Sequence, residues 1–180
     1  MPAFLLIILF IISVYFFIIF IVSPFVIPHL RKIKVPAEIN SEMQKTIDEI
    51  SEKTKDSDEK FIKAILDLLK DRYIIKIWQT HLYPQIMFRK DINKIWHQVG
   101  EKQSCNVLNF VMKTILVKSG RFNEENIKER LTFYEFNIHQ YLEIKTSNQI
   151  VFADPWGYLA GKVDFGEYAT GFEKRGSPVN

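Results

Sequence analysis

From Ala3 to Val22 the chain reads AFLLIILFIISVYFFIIFIV, a run without a single charged residue. Roughly 20 residues of helix, each rising 1.5 Å, match a hydrocarbon core ~30 Å thick. A soluble core helix would carry a polar stripe, and only Ser13 and Tyr15 interrupt this one. The rival reading is a cleaved signal peptide, which needs a basic leader, a shorter apolar stretch and small residues at its exit. No Lys or Arg precedes the run, and Ser23, Pro24 and Phe25 make a poor cleavage site. Residues 1–24 are therefore expected to be a transmembrane anchor, 25–37 a juxtamembrane linker punctuated by Pro28 and Pro36, and 38–180 one soluble domain.

Arg31, Lys32 and Lys34 lie just beyond the run, so the positive-inside bias puts the domain on the cytoplasmic side of a cell membrane, as a single-pass protein. The same basic patch suits anionic headgroups, making the bilayer the first expected partner. Net charge is only +3, with no basic stripe interleaved with aromatics, so nucleic acid is not an expected partner. Cys105 is the only cysteine, which excludes an internal disulfide framework.

Beyond the linker the apolar periodicity predicts helices. Ile39, Met43, Ile47 and Ile50 share a face over 39–52, with Asn40 or Ser41 as cap. Phe61, Ile62, Ile65, Leu66, Leu68 and Leu69 do so over 58–72, capped by Ser57 or Asp58. Residues 73–88 allow a short strand broken at Pro84, and 91–99 a short helix. Val107, Leu108, Val111, Met112, Ile115 and Leu116 predict a helix from Ser104 that Gly120 stops. Residues 123–130 read as a short helix or loop. Phe136, Ile138, Leu142 and Ile144 then alternate with Asn137, His139, Tyr141 and Glu143, which is strand period. A turn at 145–148 leads into a second strand at 149–153, ended by Asp154 and Pro155. The glycine-rich remainder suggests loops, with one strand near Lys162–Phe165. Helices followed by hairpins argue for an α+β domain with an antiparallel sheet.

Cys105 opens its helix directly after Ser104, a good N-cap residue. Unpaired N–H groups and the positive end of the helix dipole meet the sulfur there, as a nucleophilic cysteine requires. A buried structural cysteine is the plainer alternative. His139 stands on the polar face of its strand. If the turn is centred between Thr146 and Ser147, Asp154 lies directly opposite it, near enough to hold one imidazole nitrogen and leave the other for a thiol. His29 lies beside the membrane; His81 and His97 share no metal-like spacing with Cys105 or a carboxylate, so no metal site is expected, and Gly100 and Gly120 belong to no phosphate loop. Gln98 and Gln103 are side-chain candidates for an oxyanion hole beside the Cys105 N–H. Trp78 and Trp96 read as core or pocket wall, and Trp156, after Asp154 and Pro155, as a wall of the cleft.

The pieces QSCNVLNFVMKTIL, NIHQYLEI and IVFADPWG, in that order, resemble the transglutaminase-like superfamily, with its papain-like fold: Cys at a helix start, His on a strand, Asp at the end of the next strand. Residues 57–72 resemble the helix that often opens such domains. Gln103 and Ser104 stand where the family usually has a nearby Gly, and Gln140 and Tyr141 where it often has Trp. The resemblance implies Cys105 as nucleophile, His139 as general base, Asp154 as orienter and no cofactor. The expected activity is that of a membrane-anchored cysteine enzyme on protein or peptide amide bonds, through a thioacyl intermediate and favouring hydrolysis. The alternative is an inactive domain of the same fold serving as a membrane-tethered interaction module. An anchor that oligomerises is disfavoured, because the run has no Gly and no small-xxx-small motif.

Overall fold

A computed structural model describes residues 3–76 and 83–179, so Trp78 and His81 lie outside the described residues. The apolar run forms α1 (Ala3–Phe17), which passes through a π-helical turn (Ile18–Val22) into α2 (Ser23–Val26). Pro24 has no N–H to give to a carbonyl one turn back. The helix widens just before it, with the Ser23 N–H and hydroxyl both turned to the Ile18 carbonyl. From Phe4 to Val26 the segment is long and apolar enough to cross a membrane. It therefore continues past residue 24, where the anchor was expected to end.

The domain begins with α3 (Ser41–Lys53) and α4 (Asp58–Arg72). Asn40 and Ser57 are the caps: Asn40 Oδ1 accepts from the Met43 N–H at 2.7 Å and Ser57 Oγ from the Lys60 N–H at 3.2 Å. A 3₁₀ turn (Pro84–Phe88) precedes α5 (Ile92–His97), which Asp91 caps. Then come α6 (Cys105–Lys118), β1 (Ile127–Tyr134), β2 (Asn137–Lys145), β3 (Ile150–Ala153), α7 (Pro155–Leu159), β4 (Glu167–Thr170) and β5 (Glu173–Gly176). The strands form two small antiparallel sheets, β1-β2-β3 and β4-β5. The α+β, antiparallel expectation is met at that level, while three local readings are corrected. Only the first half of the charged segment 123–130 is a short helical turn (Glu124–Asn126); the second half, from Ile127, opens β1, whose Arg130 is paired across the strands with Glu143 at 2.8 Å. The late strand falls at Glu167–Thr170 rather than Lys162–Phe165. The short α5 stops at His97.

Helix α6 runs through the middle of the core. Its apolar face packs with Phe61, Ile65 and Leu66 of α4 and with Leu142, Ile144 and Val151 of the sheet. Its polar stripe is buried too, under the segment between the apolar helix and α3. Asn106 Nδ2 donates to the carbonyls of Pro28 and Met87, both at 2.8 Å. Gln140 on β2 donates to the carbonyls of His29 and Leu30, both at 2.7 Å. Ile33 is fully buried, and its N–H donates to Glu129 at 3.0 Å. Residues 28–33 are thus a strap bound to the domain by hydrogen bonds between otherwise unpaired buried groups, which are expensive to break.

Glu129 also receives the Lys113 ammonium at 2.7 Å, with both side chains nearly excluded from solvent. Removing one partner of such a pair strands a buried charge. Lys113→Ala is expected to cost about 3–5 kcal/mol, read by urea unfolding, and Lys113→Met less, since it keeps the packing stem.

Candidate active site

Cys105 is the first residue of α6, so its N–H has no acceptor within the helix. Ser104 holds the N-cap position, but its hydroxyl donates to Asn106 Oδ1 at 2.7 Å instead of capping the first turn, contrary to the expected cap. Asn106 in turn holds the strap, so the start of α6 is braced on the side away from solvent.

His139 and Asp154 meet as expected, by a different register. The β2–β3 pairing sets Leu142 opposite Ala153 and Lys145 opposite Ile150, so the turn is centred two positions later in the number sum than the sequence reading assumed. A shift of one would turn Asp154 to the other face, whereas a shift of two keeps the face and makes the residues diagonal neighbours. His139 Nε2 lies 2.7 Å from Asp154 Oδ2. The face that carries His139 is not a solvent face. The imidazole is buried, with the Trp156 ring 5.5 Å and the Tyr134 ring 5.8 Å away between centroids.

Asp154 is fixed from three directions. Besides His139, its Oδ1 accepts from the Gly157 N–H at 2.8 Å and its Oδ2 from the Ala169 N–H at 3.0 Å. The strand ends here because Pro155 cannot extend the ladder, and the same proline suits the first turn of α7. Asp154 caps that helix while gripping β4. A buried carboxylate held by this many donors is fixed in place.

Burial opposes charging of His139, but the Asp154 carboxylate and the interactions with Asp154 and the Cys105 thiol outweigh it and raise the imidazole pKa above its usual 6.5. With Nε2 committed to Asp154, the ring's other nitrogen is the one left for the sulfur. A raised folded-state value means that the imidazolium form favours the fold. Its contribution is complete below the unfolded value near 6.5 and is lost as pH rises through the folded one. His139→Gln is therefore expected to lose most stability relative to wild type in mildly acidic solution. The gap should narrow toward alkaline pH in thermal unfolding curves.

Cys105, His139 and Trp156 line one cavity of about 600 Å³, which Ser104, Asn106, Tyr134 and Asn137 also border. Sequence reasoning assigned none of those four to the cavity. Ser104 and Asn106 adjoin Cys105, and Tyr134 and Asn137 flank the β1–β2 turn, so adjacency was the only signal. The other wall comes from the apolar helix, through Tyr15, Ile19 and Ser23, and from Ile27 just past its end. The oxyanion candidates are not brought there. Gln98 ends α5, and Gln103 is held in the extended stretch before α6, its N–H directed to the Ile74 carbonyl; neither side chain borders the cavity. The Cys105 N–H, which has no acceptor within the helix, is the donor beside the sulfur, since the Asn106 amide is committed to the Pro28 and Met87 carbonyls. Trp96 is core, its indole N–H directed to Glu42. His29 stacks on Phe110 at 3.9 Å, where burial and the nearby Lys90 lower its pKa to about 4, and His97 sits 3.6 Å from Glu42.

Comparison with models of known protein families, with characterised proteins and with solved structures finds nothing that matches this chain.

Proposed function

We propose that the chain is a membrane-anchored, transglutaminase-like cysteine enzyme that acts on amide bonds of proteins or peptides. The observation that carries the reading is that His139, bonded to the buried Asp154 at 2.7 Å, lines the same cavity as a cysteine at a helix start. In the forward step the Cys105 sulfur, its proton already held by His139, bonds to the acyl carbon. The tetrahedral oxyanion is met by the Cys105 N–H. His139 then protonates the leaving amine as the C–N bond breaks, giving a thioacyl intermediate. Water, activated by the same imidazole, attacks the acyl carbon and frees the thiol. Asp154 keeps the ring oriented and stabilises its charge in both steps.

The anchor holds this site against the bilayer, and Arg31, Lys32 and Lys34 favour the cytoplasmic face. Cys105 is expected to react with iodoacetamide at neutral pH ~10-fold or more faster than glutathione under the same conditions. Labelling at the rate of glutathione would instead support an inactive interaction module.

A further inference from the structure

The apolar helix does more than lead into the domain: it is a wall of the cavity that holds Cys105. Ile19, Ser23 and Ile27 border that cavity beside His139. Higher up, the Tyr15 hydroxyl donates to the Phe136 carbonyl at 2.7 Å, and the Phe20 and Phe133 rings lie 5.6 Å apart. From Val26 back to Tyr15 the helix rises about 16 Å, half the depth of a hydrocarbon core. With the helix in a bilayer, the β1–β2 turn at Phe136 is drawn to that depth.

Phe136 is the apolar tip of that turn, while its Glu135 carboxylate is paired with Lys162 at 3.7 Å and accepts from the Tyr134 hydroxyl at 2.9 Å. Glu135 and Phe136 hold φ of +43° and +68°, a left-handed pair that hairpins normally give to Asn and Gly. A phenylalanine kept at such a position is strained, and strain of this kind accumulates at functional sites. Phe136 is exposed, as is Phe172, whose ring lies 5.5 Å from it, and both border the cavity. In water this is an unfavourable cluster; in lipid it is at home. The apolar lining continues through Leu30 and Ile138, and polar groups stand beside the sulfur.

Resting on the cysteine-enzyme reading above, we infer that the acyl side of the substrate is a long fatty chain entering the cavity from the bilayer, between the apolar helix and the Phe136 turn, with its carbonyl presented to Cys105. Thiol attack joins Sγ to the fatty acyl carbon and expels the amine or alcohol with the proton carried by His139. Water then cleaves the thioester to a free fatty acid and restores the thiol.

The test uses the full chain in phosphatidylcholine vesicles. With p-nitrophenyl acetate and p-nitrophenyl myristate, kcat/KM for the myristoyl ester is expected to be about 100-fold higher or more, given the free energy of burying each methylene. Ile19→Trp, which fills the wall, should lower the myristoyl-to-acetyl ratio at least ~10-fold. Reaction of both esters at equal rates, with acylation of Cys105, would overturn the fatty-chain inference and leave the nucleophile intact. Acylation of Cys105 by neither ester would overturn both. A second arm locates the source of the chain: myristate released from an N-myristoylated peptide assigns it to amide-linked lipid, fatty acid released from phosphatidylcholine assigns it to the phospholipid ester, and release from neither overturns the inference.

Discussion

Replacing Cys105 with alanine is expected to abolish acyl release from activated esters, and His139→Ala to reduce it on the order of 10⁴-fold. Members of such a unit act together, so losing either the nucleophile or its base removes most of the catalysis. The two variants differ in kind. Without the sulfur no covalent intermediate exists, so no burst of leaving group appears. Without the imidazole the thiol remains, but it lacks both its proton acceptor and the acid that protonates the leaving group. The Cys105→Ala loss need not come from unfolding, whereas His139→Ala also leaves the buried Asp154 carboxylate without its partner and lowers stability. Cys105 is only half-buried as the first residue of α6, and alanine is a good helix former there. Steady-state and burst-phase kinetics on the folded variants separate these effects.

The second large effect concerns Asp154, where the proposed catalysis and the stability share an atom. Asp154→Ala leaves the Gly157 and Ala169 N–H groups without their acceptor and strips the buried imidazole of its counter-charge. Breaking a buried pair from one side costs about 3–5 kcal/mol. Asp154→Asn keeps the shape and an acceptor oxygen for α7, so it should fold better while still losing the oriented, charge-stabilised base. Gly157 probes the same knot from outside. A Cβ there would stand 2.6 Å from Asp154 Oδ2 and 2.9 Å from Val163 Cγ2, so Gly157→Ala must push the carboxylate or its neighbour aside. About 1–3 kcal/mol is expected for such overpacking, with a fall in acylation rate alongside it. Tryptophan-monitored unfolding of the full chain in detergent micelles measures the stability terms.

Why some of this was legible in the sequence follows from how each feature is encoded. α4 was readable to the residue, because Ser57 marks its start and six apolar side chains repeat on one face. The meeting of His139 with Asp154 was readable through the period of the strands, and it survived a mistaken turn centre because the error was an even number of positions. β1 was hidden by its composition: Lys128, Glu129 and Arg130 look like a solvated loop, yet Glu129 is neutralised by Lys113 on a helix that the linear pattern does not connect to it. The strap was hidden for the same reason. Leu30 and Ile33 form no periodic pattern, and their places in the structure depend on amides contributed by Asn106 and Gln140, both far away in the chain. The shared wall of the cavity was the least legible feature. Twenty-odd apolar residues are read as facing lipid, and nothing in their order says that one side faces a thiol.

The central claim is that Cys105 is a nucleophile driven by His139. Intact-protein and peptide mass spectrometry, after a brief exposure of wild type and His139→Ala to an activated ester and an acid quench, tests it most directly. The expected result is one acyl group on wild-type Cys105, formed within the burst and discharged by water, and almost none on the variant. Equal acylation of Cys105 in both proteins, or acylation confined to lysines, would contradict it.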